Sequence, residues 1–313
     1  MKDDLTRSMA TYRLQFNQEF QFADAQALVP YFSRLGVTHL YASPALRARQ
    51  SSTHGYDVVD PATLNPNLGD KTELISLGST LKNYGLGLVL DIVPNHMAAS
   101  IENPYWRDVL TYGPSSPYAG WFDIDWRMPD PDMWARVLVP VLGERRNQIL
   151  IKGQLQLTWS DGRFLVKYFE NTFPVDPATI PSICEFGLEN LKQELNTDHP
   201  ALHQIDEILA YLKSLPKSGT RLRRHVHIDR EETEGQLATF ARLVVRSPTI
   251  QHWLEETAQR FTAGEAGHNR FRKLLDAQPY RLVHWRDAAR AINYRRFFDI
   301  NELVSIRQED PQV

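Results

Sequence analysis

Cysteine is almost missing from this chain of 313 residues: Cys184 is the only one. A single thiol excludes an intramolecular disulfide and any cysteine-based metal site, and it leaves stability independent of an oxidising compartment. Charge of one sign is lacking too. Thirty-five Lys and Arg against 38 Asp and Glu give a net charge of -3, too small to imply a nucleic-acid or membrane-surface partner. No stretch approaches the ~20 apolar residues of a membrane span. The start, Met1-Lys-Asp-Asp-Leu-Thr-Arg7, is polar and acidic where a secretory leader would be apolar, so a cytoplasmic location is expected. The histidines show no i, i+4 pair with Glu in the metalloprotease pattern, His225 and His227 being only two apart, so no metal site is expected.

What is present, through the first hundred residues, is a regular rhythm. Thr11 to Phe16 reads as a short strand, and Ala25, Leu28, Val29 and Phe32 mark one face of a helix. Gly36 ends that helix and Val37 to Ala42 begins a second strand. Leu74, Leu77, Gly78 and Leu81 repeat the helical spacing before the run Gly85-Leu-Gly-Leu-Val-Leu-Asp-Ile-Val-Pro-Asn-His96. With Val89, Leu90, Ile92 and Val93 apolar on both faces, that run predicts a strand buried on both sides of a parallel sheet. The alternation fits a doubly wound sheet or the start of an eight-stranded barrel. No Gly-x-Gly-x-x-Gly loop follows the first strand, which favours the barrel. The expected fold class is α/β, an incomplete TIM (β/α)8 barrel whose first three βα units occupy residues 1–97.

Parallel sheets meet their ligands at the carboxyl ends of their strands, where Asp91, Asn95 and His96 fall. The residues alone leave two readings open. Either the trio faces a substrate, or Asp91 satisfies neighbouring amides while Asn95 and His96 form a turn after Pro94.

Beyond Met97 the rhythm breaks, and residues 98–313 read as one large, mainly helical insertion. An aromatic loop and a β-hairpin are expected within 100–180 and a helical subdomain within 185–300. Trp106, Tyr112, Tyr118, Trp121, Phe122, Trp126 and Trp134 fit no regular element and read as core or as a platform for sugar rings. Leu155, Leu157 and Trp159, the turn Asp161-Gly162, and Phe164 to Phe169 predict the hairpin. Leu202, Ile205, Leu209 and Leu212 form one helical stripe, and Leu237, Phe240, Ala241 and Val244 another. No fourth strand of the buried parallel type is expected before Val313.

Six ordered blocks carry a resemblance: Thr11-Tyr-Arg-Leu-Gln15, Leu40-Tyr-Ala-Ser-Pro44, Ser52-Thr-His-Gly-Tyr-Asp-Val-Val-Asp-Pro61, Leu90-Asp-Ile-Val-Pro-Asn-His-Met-Ala98, Phe122-Asp-Ile-Asp-Trp126 and Asn293-Tyr-Arg-Arg-Phe-Phe-Asp-Ile-Asn301. Together they resemble the maltooligosyl trehalose synthases, the trehalose-forming branch of the α-amylase family of retaining glycosidases. The fourth block alone would indicate only the wider family, and the blocks around Tyr12 and Arg295 narrow it.

The resemblance implies an α-amylase-type barrel acting on maltooligosaccharides without an organic cofactor. It assigns Tyr56 to stacking on the sugar at the cleavage subsite, with His54 and Asp57 nearby, and His96 to hydrogen bonding with the same sugar. It makes Asp91 a buried organiser of a neighbouring Arg, and gives Gln15 and Arg295 lesser roles. Asn95 matches a calcium ligand of many amylases. Calcium is not expected in this branch, so a turn-stabilising amide is the better reading.

The family's nucleophile Asp and acid/base Glu, which must lie about 5 to 5.5 Å apart, belong to a Gly-x-Arg-x-Asp block and a Glu block that these residues do not contain. No catalytic carboxylate is therefore assigned within the chain, and both are expected beyond Val313. The chain resembles the amino-terminal part of a longer enzyme and is expected to be inactive alone, with the carboxyl-terminal part of that enzyme as a partner. The pairs Asp123 with Asp125 and Asp299 with Glu302 read as solvated or salt-bridged groups, the second pair at i, i+3 on a helix. Two other readings stand beside it, an α-1,4-glucan hydrolase and a non-catalytic carbohydrate-binding remnant. Because the Arg that Asp91 would orient belongs to the missing fourth strand, the resemblance also implies an uncompensated carboxylate, whose replacement by Asn should be neutral or mildly stabilising.

Overall fold

The computed structural model of the chain describes residues 10–196, 198–222, 228–311 and Val313; the polar start Met1–Arg7 and the pair His225 and His227 lie outside the described residues. The chain divides into two compact units, one of Met1–Pro104 with Arg296–Pro311 and Val313, the other of Tyr105–Arg295.

In the first unit the expected rhythm is present: β1 (Thr11–Leu14), α1 (Phe22–Leu35), β2 (His39–Ala42), then the short β3 (Leu46–Ala48) and β4 (Val58–Leu64), α2 (Lys71–Asn83), β5 (Gly87–Leu90) and β6 (His96–Ala98). Strands β1, β2 and β5 form a parallel sheet in that order. The sheet does not close, so this is a partial barrel. β3 pairs with β4, and β6 pairs antiparallel with the short strand Leu303–Ser305.

Local chemistry sets the helix ends. The Asp24 carboxylate accepts the Gln21 amide at 2.8 Å to start α1, and Gly36 stops it at φ 85°, where a side chain would be strained. In α2, Asp70 and Glu73 cap each other's backbone amides reciprocally, both at 2.8 Å. One face of the sheet, with Leu14, Leu40 and Ala42, packs on Ala25, Val29 and Phe32 of α1 and on Leu77 and Leu81 of α2. Burying each large side chain there stabilises by about 1.5–3 kcal/mol. Leu28, expected on the buried face of α1, is exposed, because that face centres on Val29.

The third strand corrects the sequence reading. It was expected to be covered on both sides, yet Val89, Leu90 and Ile92 are 38%, 46% and 66% exposed. The register Arg13 to Tyr41 to Val89 places Val89 on the face away from the helices. Among the described residues β5 has a partner on one side only. A continuous apolar run reports compatibility with burial; whether neighbours cover it is a matter of the remaining sheet.

The second unit begins within α3 (Pro104–Tyr112), a helix inside the stretch expected to be irregular; Trp106, Val109 and Leu110 fill its buried face. β7 (Val137–Leu142) follows, then α4 (Arg146–Ile151) and the expected hairpin, β8 (Leu155–Ser160) with β9 (Arg163–Tyr168), extended by β10 (Asn171–Pro174). Five helices come next: α5 (Ile180–Leu195), α6 (Pro200–Ser214), α7 (Arg230–Arg246), α8 (Pro248–Thr262) and α9 (Gly264–Asp276). α5 packs on α6 and α8. Gly187 permits that approach, since a Cβ there would collide with Thr257, and its carbonyl accepts the Trp253 indole at 2.8 Å.

β11 (Tyr280–His284) then pairs in parallel with β7. This buried parallel pair overturns the expectation that no further such strand precedes Val313. Pro140 interrupts the apolar run of β7, and its partner is some 140 residues away, so no local pattern announces the pairing. Of the aromatic stretch Trp106, Tyr112 and Phe122 are core, Tyr118, Trp121 and Trp126 are half-buried, and Trp134 is exposed.

The uncovered edge of β5 gives a direct expectation. Gly87 and Asp91 donate their amides to Thr38 and Ala42 of the neighbouring chain segment, so the alternating amides of Leu88 and Leu90 point outward. Concentration-dependent self-association through this edge is expected. Light scattering should show it, with Leu88 and Leu90 amides exchanging fast in dilute samples and slowing on association. Leu90→Lys should keep the chain monomeric; a wild-type monomer with slow exchange at both amides would contradict the open edge.

Candidate functional site

At the carboxyl end of β5, Asp91 gathers three donors. Its Oδ2 accepts the Tyr56 hydroxyl at 2.6 Å and the Tyr41 hydroxyl at 3.1 Å, and lies 3.4 Å from the Arg13 guanidinium. Arg13 gives its better hydrogen bond, 2.8 Å, to the Tyr56 oxygen and sits 4.7 Å from the Tyr41 ring centre. Arg13 and Tyr41 are neighbours across the sheet on the face of Val89. Asp91 is therefore compensated within these residues, contrary to the expectation that its partner would be missing. Burial alone would push its carboxyl up, but the hydrogen bonds from Tyr56, Tyr41 and Arg13 outweigh that and hold it below its usual value. The Tyr56 phenol is correspondingly raised, first by its bond to Asp91, and stays a donor.

The loop Ser52–Asp57 presents Tyr56. Gly55 takes φ 80°, and the Pro44 carbonyl oxygen would lie 2.8 Å from a Cβ at that position, so only glycine fits. Asp57 accepts the Ser52 hydroxyl, and Ser52 Oγ in turn accepts the Gly55 amide at 3.0 Å. His54 Nδ1 accepts the Tyr56 amide at 3.0 Å and lies 3.9 Å from the Asp57 carboxylate. Gln15 ties the end of β1 to this loop through the His54 carbonyl at 3.1 Å.

His96 opens β6, buried, with Phe297 stacked on its ring at 4.0 Å between centres and 25° between planes. Its Nε2 lies 3.1 Å from the Tyr56 carbonyl and its Nδ1 2.7 Å from the Asn95 amide group. Burial pushes the imidazole down, against the pull of the Tyr56 carbonyl and the Asp57 charge. Both ring nitrogens thus face acceptor oxygens, Asn95 Oδ1 at Nδ1 and the Tyr56 carbonyl at Nε2, and a neutral ring donates to one of them. A cleft of about 710 Å³ opens beside these groups, lined by His54, Tyr56, Asp57, Asn95 and His96 with Ile92 and Phe297.

The structure thus brings Gln15, His54, Tyr56, Asp57, Asp91, Asn95 and His96 together within the first unit. Arg295 belongs to the second unit, where it pairs with Asp123 at 2.8 Å. Asp299 pairs with Arg296 at 3.0 Å within a turn, a salt-bridged group as expected, and Glu302 lines the cleft. Sequence reading missed Arg13, Tyr41 and Phe297. The first two share the parity of Asp91 along their strands, a usable signal; Phe297, 201 positions from His96, gives none. Among the described residues no group of three or more His, Cys, Asp or Glu is placed to hold a metal ion.

Two outcomes follow. Asp91→Asn should lower stability by about 1–2 kcal/mol, because an amide replaces a charged acceptor shared by three donors; an unchanged thermal midpoint would mean that water satisfies the freed donors. For His96, a depressed value in the folded state means that stability is complete above its ordinary pKa of about 6.5 and declines as pH falls below it. Asp91, also depressed, adds a second loss below about pH 4. A ring-proton titration should place the His96 midpoint below about 6.5, and a midpoint above it would reverse the sign.

Residues 26–142 match the catalytic domain of alpha amylase. Over 142 residues, 43% of its length, the chain is 45% identical to a Mycobacterium tuberculosis protein provisionally named maltooligosyl trehalose synthase, of which it covers 18%. It is 35% identical over 109 residues to an intracellular maltogenic amylase of Bacillus subtilis, again covering 18% of that protein. Among solved structures, the maltooligosyltrehalose synthase of Arthrobacter ramosus superposes with a TM-score of 0.61 at 28% identity, over 97% of this chain and 28% of that one. A glycosyltrehalose synthase gives 0.61 at 27%, over 97% and 30%. The chain spans about a fifth of the length of these curated relatives and under a third of the solved ones. Residues 26–142 thus resemble part of an alpha-amylase catalytic domain, and the chain as a whole resembles part of maltooligosyl trehalose synthases.

Proposed function

We propose that the first unit supplies a sugar-binding part of the cleavage subsite of a maltooligosyl trehalose synthase, and that the second is an insertion after the third strand of its barrel. The observation that carries this reading is the cleft lined by His54, Tyr56, Asp57, Asn95 and His96, in which the Asp91 and Arg13 bonds fix the Tyr56 ring. A ring held at its hydroxyl offers an aromatic surface at little entropic cost, which suits stacking on a pyranose.

In the complete enzyme the reaction would be an intramolecular transglucosylation. A carboxylate attacks the anomeric carbon of the penultimate sugar, breaking the α-1,4 bond and releasing the reducing-end glucose, which takes up the acid's proton at O4. That glucose, retained, returns its anomeric oxygen to the same carbon, losing a proton to the base and expelling the carboxylate, to leave an α,α-1,1 bond. Excluding water is what separates this outcome from hydrolysis. The blocks that supply the two carboxylates are not among these residues, so we infer that the chain binds glucan in the cytoplasm without turning it over, with the remaining barrel strands as its partner.

Calorimetric titration of the chain with maltopentaose should give a dissociation constant in the millimolar range, about 4 kcal/mol, with Tyr56→Ala about tenfold weaker and Tyr56→Phe retaining most of the affinity. Micromolar binding would mean the subsite is complete as it stands. Appearance of a non-reducing product would place the whole transglucosylation here, release of reducing sugar would favour a glucan hydrolase, and binding unaffected by Tyr56→Ala would remove the cleft from the reading.

A further inference from the structure

The second unit contains a cleft of its own, about 570 Å³, between the amino end of α5, the loop after α6, and the facing sides of α8 and α9. Its walls are rich in positive charge: Arg136, Lys213, Lys217, Arg270 and Lys273 against the single carboxylate of Glu185. Lys213 and Glu185 neutralise each other at 2.8 Å. Among the described residues Lys217 and Lys273 make no ion pair. The two arginines spend their hydrogen bonds on main-chain carbonyls: Arg136 on Asp132 and Asp276, Arg270 on Phe261 and Arg260. Asp276 and Asp132 also lie close enough to act on the Arg136 charge, and Arg270 sits over the Phe186 ring at 4.3 Å, which leaves Lys217 and Lys273 as the two cations of the cleft without a partner charge.

A second observation points the same way. Ser218, which lines the cleft, is buried, and its hydroxyl has no hydrogen-bond partner. The buried Nε of Arg136 is likewise unpaired. A buried hydroxyl without a partner costs about 1–3 kcal/mol, and it is retained in a loop that is otherwise firmly held. Arg221, three residues on, is fully buried in an ion pair with Asp176 at 2.7 Å and bonds the Pro216 carbonyl at 3.1 Å. Lys217 and Ser218 lie between these two anchors, so their placement is preorganised. Pro181, Phe261, Leu274 and Ala277 add apolar wall, beside the hydroxyls of Thr179 and Ser182.

We propose that this cleft binds a phosphorylated small molecule, its phosphate facing Lys217, Lys273 and the Ser218 hydroxyl and its organic body lying on Phe261 and Leu274. The charge count selects the phosphate, because a monocarboxylate would leave one of the two unpaired lysines uncompensated whereas a phosphate monoester brings nearly two negative charges and three acceptor oxygens. The volume selects a small molecule with a body, since it falls in the range of ordinary ligand pockets and far exceeds inorganic phosphate. The positive end of the 16-residue helix α5 adds to the same field.

The test uses the full chain and phenyl phosphate as probe, titrated calorimetrically at low salt. Submillimolar binding is expected, with inorganic phosphate and benzoate each about tenfold weaker or more. Lys217→Ala combined with Lys273→Ala should weaken phenyl phosphate by about tenfold while leaving maltopentaose titration unchanged. Both lysines are exposed, so the fold is not at risk. Ser218→Ala should weaken phenyl phosphate by about threefold without lowering the melting temperature of the unliganded chain; a purely structural hydroxyl would show the reverse. Absence of binding up to about 10 mM, affinity unmoved by the lysine pair, or benzoate binding as tightly as phenyl phosphate would each overturn the proposal.

Discussion

One carboxylate oxygen, Oδ2 of Asp91, holds the candidate site together. It takes donors from three separate segments: Arg13 on β1, Tyr41 on β2 and Tyr56 on the loop that precedes β4. Such an oxygen accepts two good hydrogen bonds, and the 2.6 and 3.1 Å contacts are those. The Arg13 contact at 3.4 Å is mainly Coulombic, and Arg13 turns its short bond to the Tyr56 oxygen instead. Tyr56 is thereby a donor to the anion and an acceptor from the cation, which fixes its ring from the hydroxyl end, with the His54 ring 6.0 Å away between centres. The ring lines the cleft, where it can meet a ligand.

The rest of the site depends on where that ring is held. The Tyr56 carbonyl meets His96, the Tyr56 amide meets His54, and the turn that joins them requires Gly55. Phe297 then closes over His96 from a segment that returns to the first unit after 191 residues spent in the second. His96 remains neutral because it is buried against an aromatic ring and a main-chain carbonyl, so its contribution is a directed N–H and not a charge.

Much of this was legible in sequence. The parallel strands, the two crossover helices and the strand-end position of Asp91, Asn95 and His96 followed from periodicity, because the helix face and strand parity that periodicity reports are what α1, α2 and β2 are built on. Seven of the eight residues singled out for the site lie together in one unit. Periodicity failed where coverage, not pattern, decides. The run of β5 is apolar throughout, yet nothing among the described residues covers its outer face. It failed again for β7 and β11, whose pairing spans a distance that no local window contains, and for Asp91, whose compensation comes from an arginine already in the first block but not from the position the family resemblance pointed to.

Exposure along β5 and the residues after it has two separate causes. Ile92 and Val93 line the cleft, so their apolar surface is what a bound sugar's own apolar face would meet. Val89 and Leu90 do not line it. Their exposure comes from the unpaired edge and the uncovered sheet face, and a ligand in the cleft would leave it unchanged. A small ligand in the cleft can therefore satisfy the site without satisfying the sheet. Only another strand, from this chain type or from the rest of a barrel, has the regular backbone donors and acceptors to cover Leu88 to Leu90, and it would do so next to Asp91, on the carboxylate that positions Tyr56. Completion of the sheet and ordering of the site are in this way tied to the same residue.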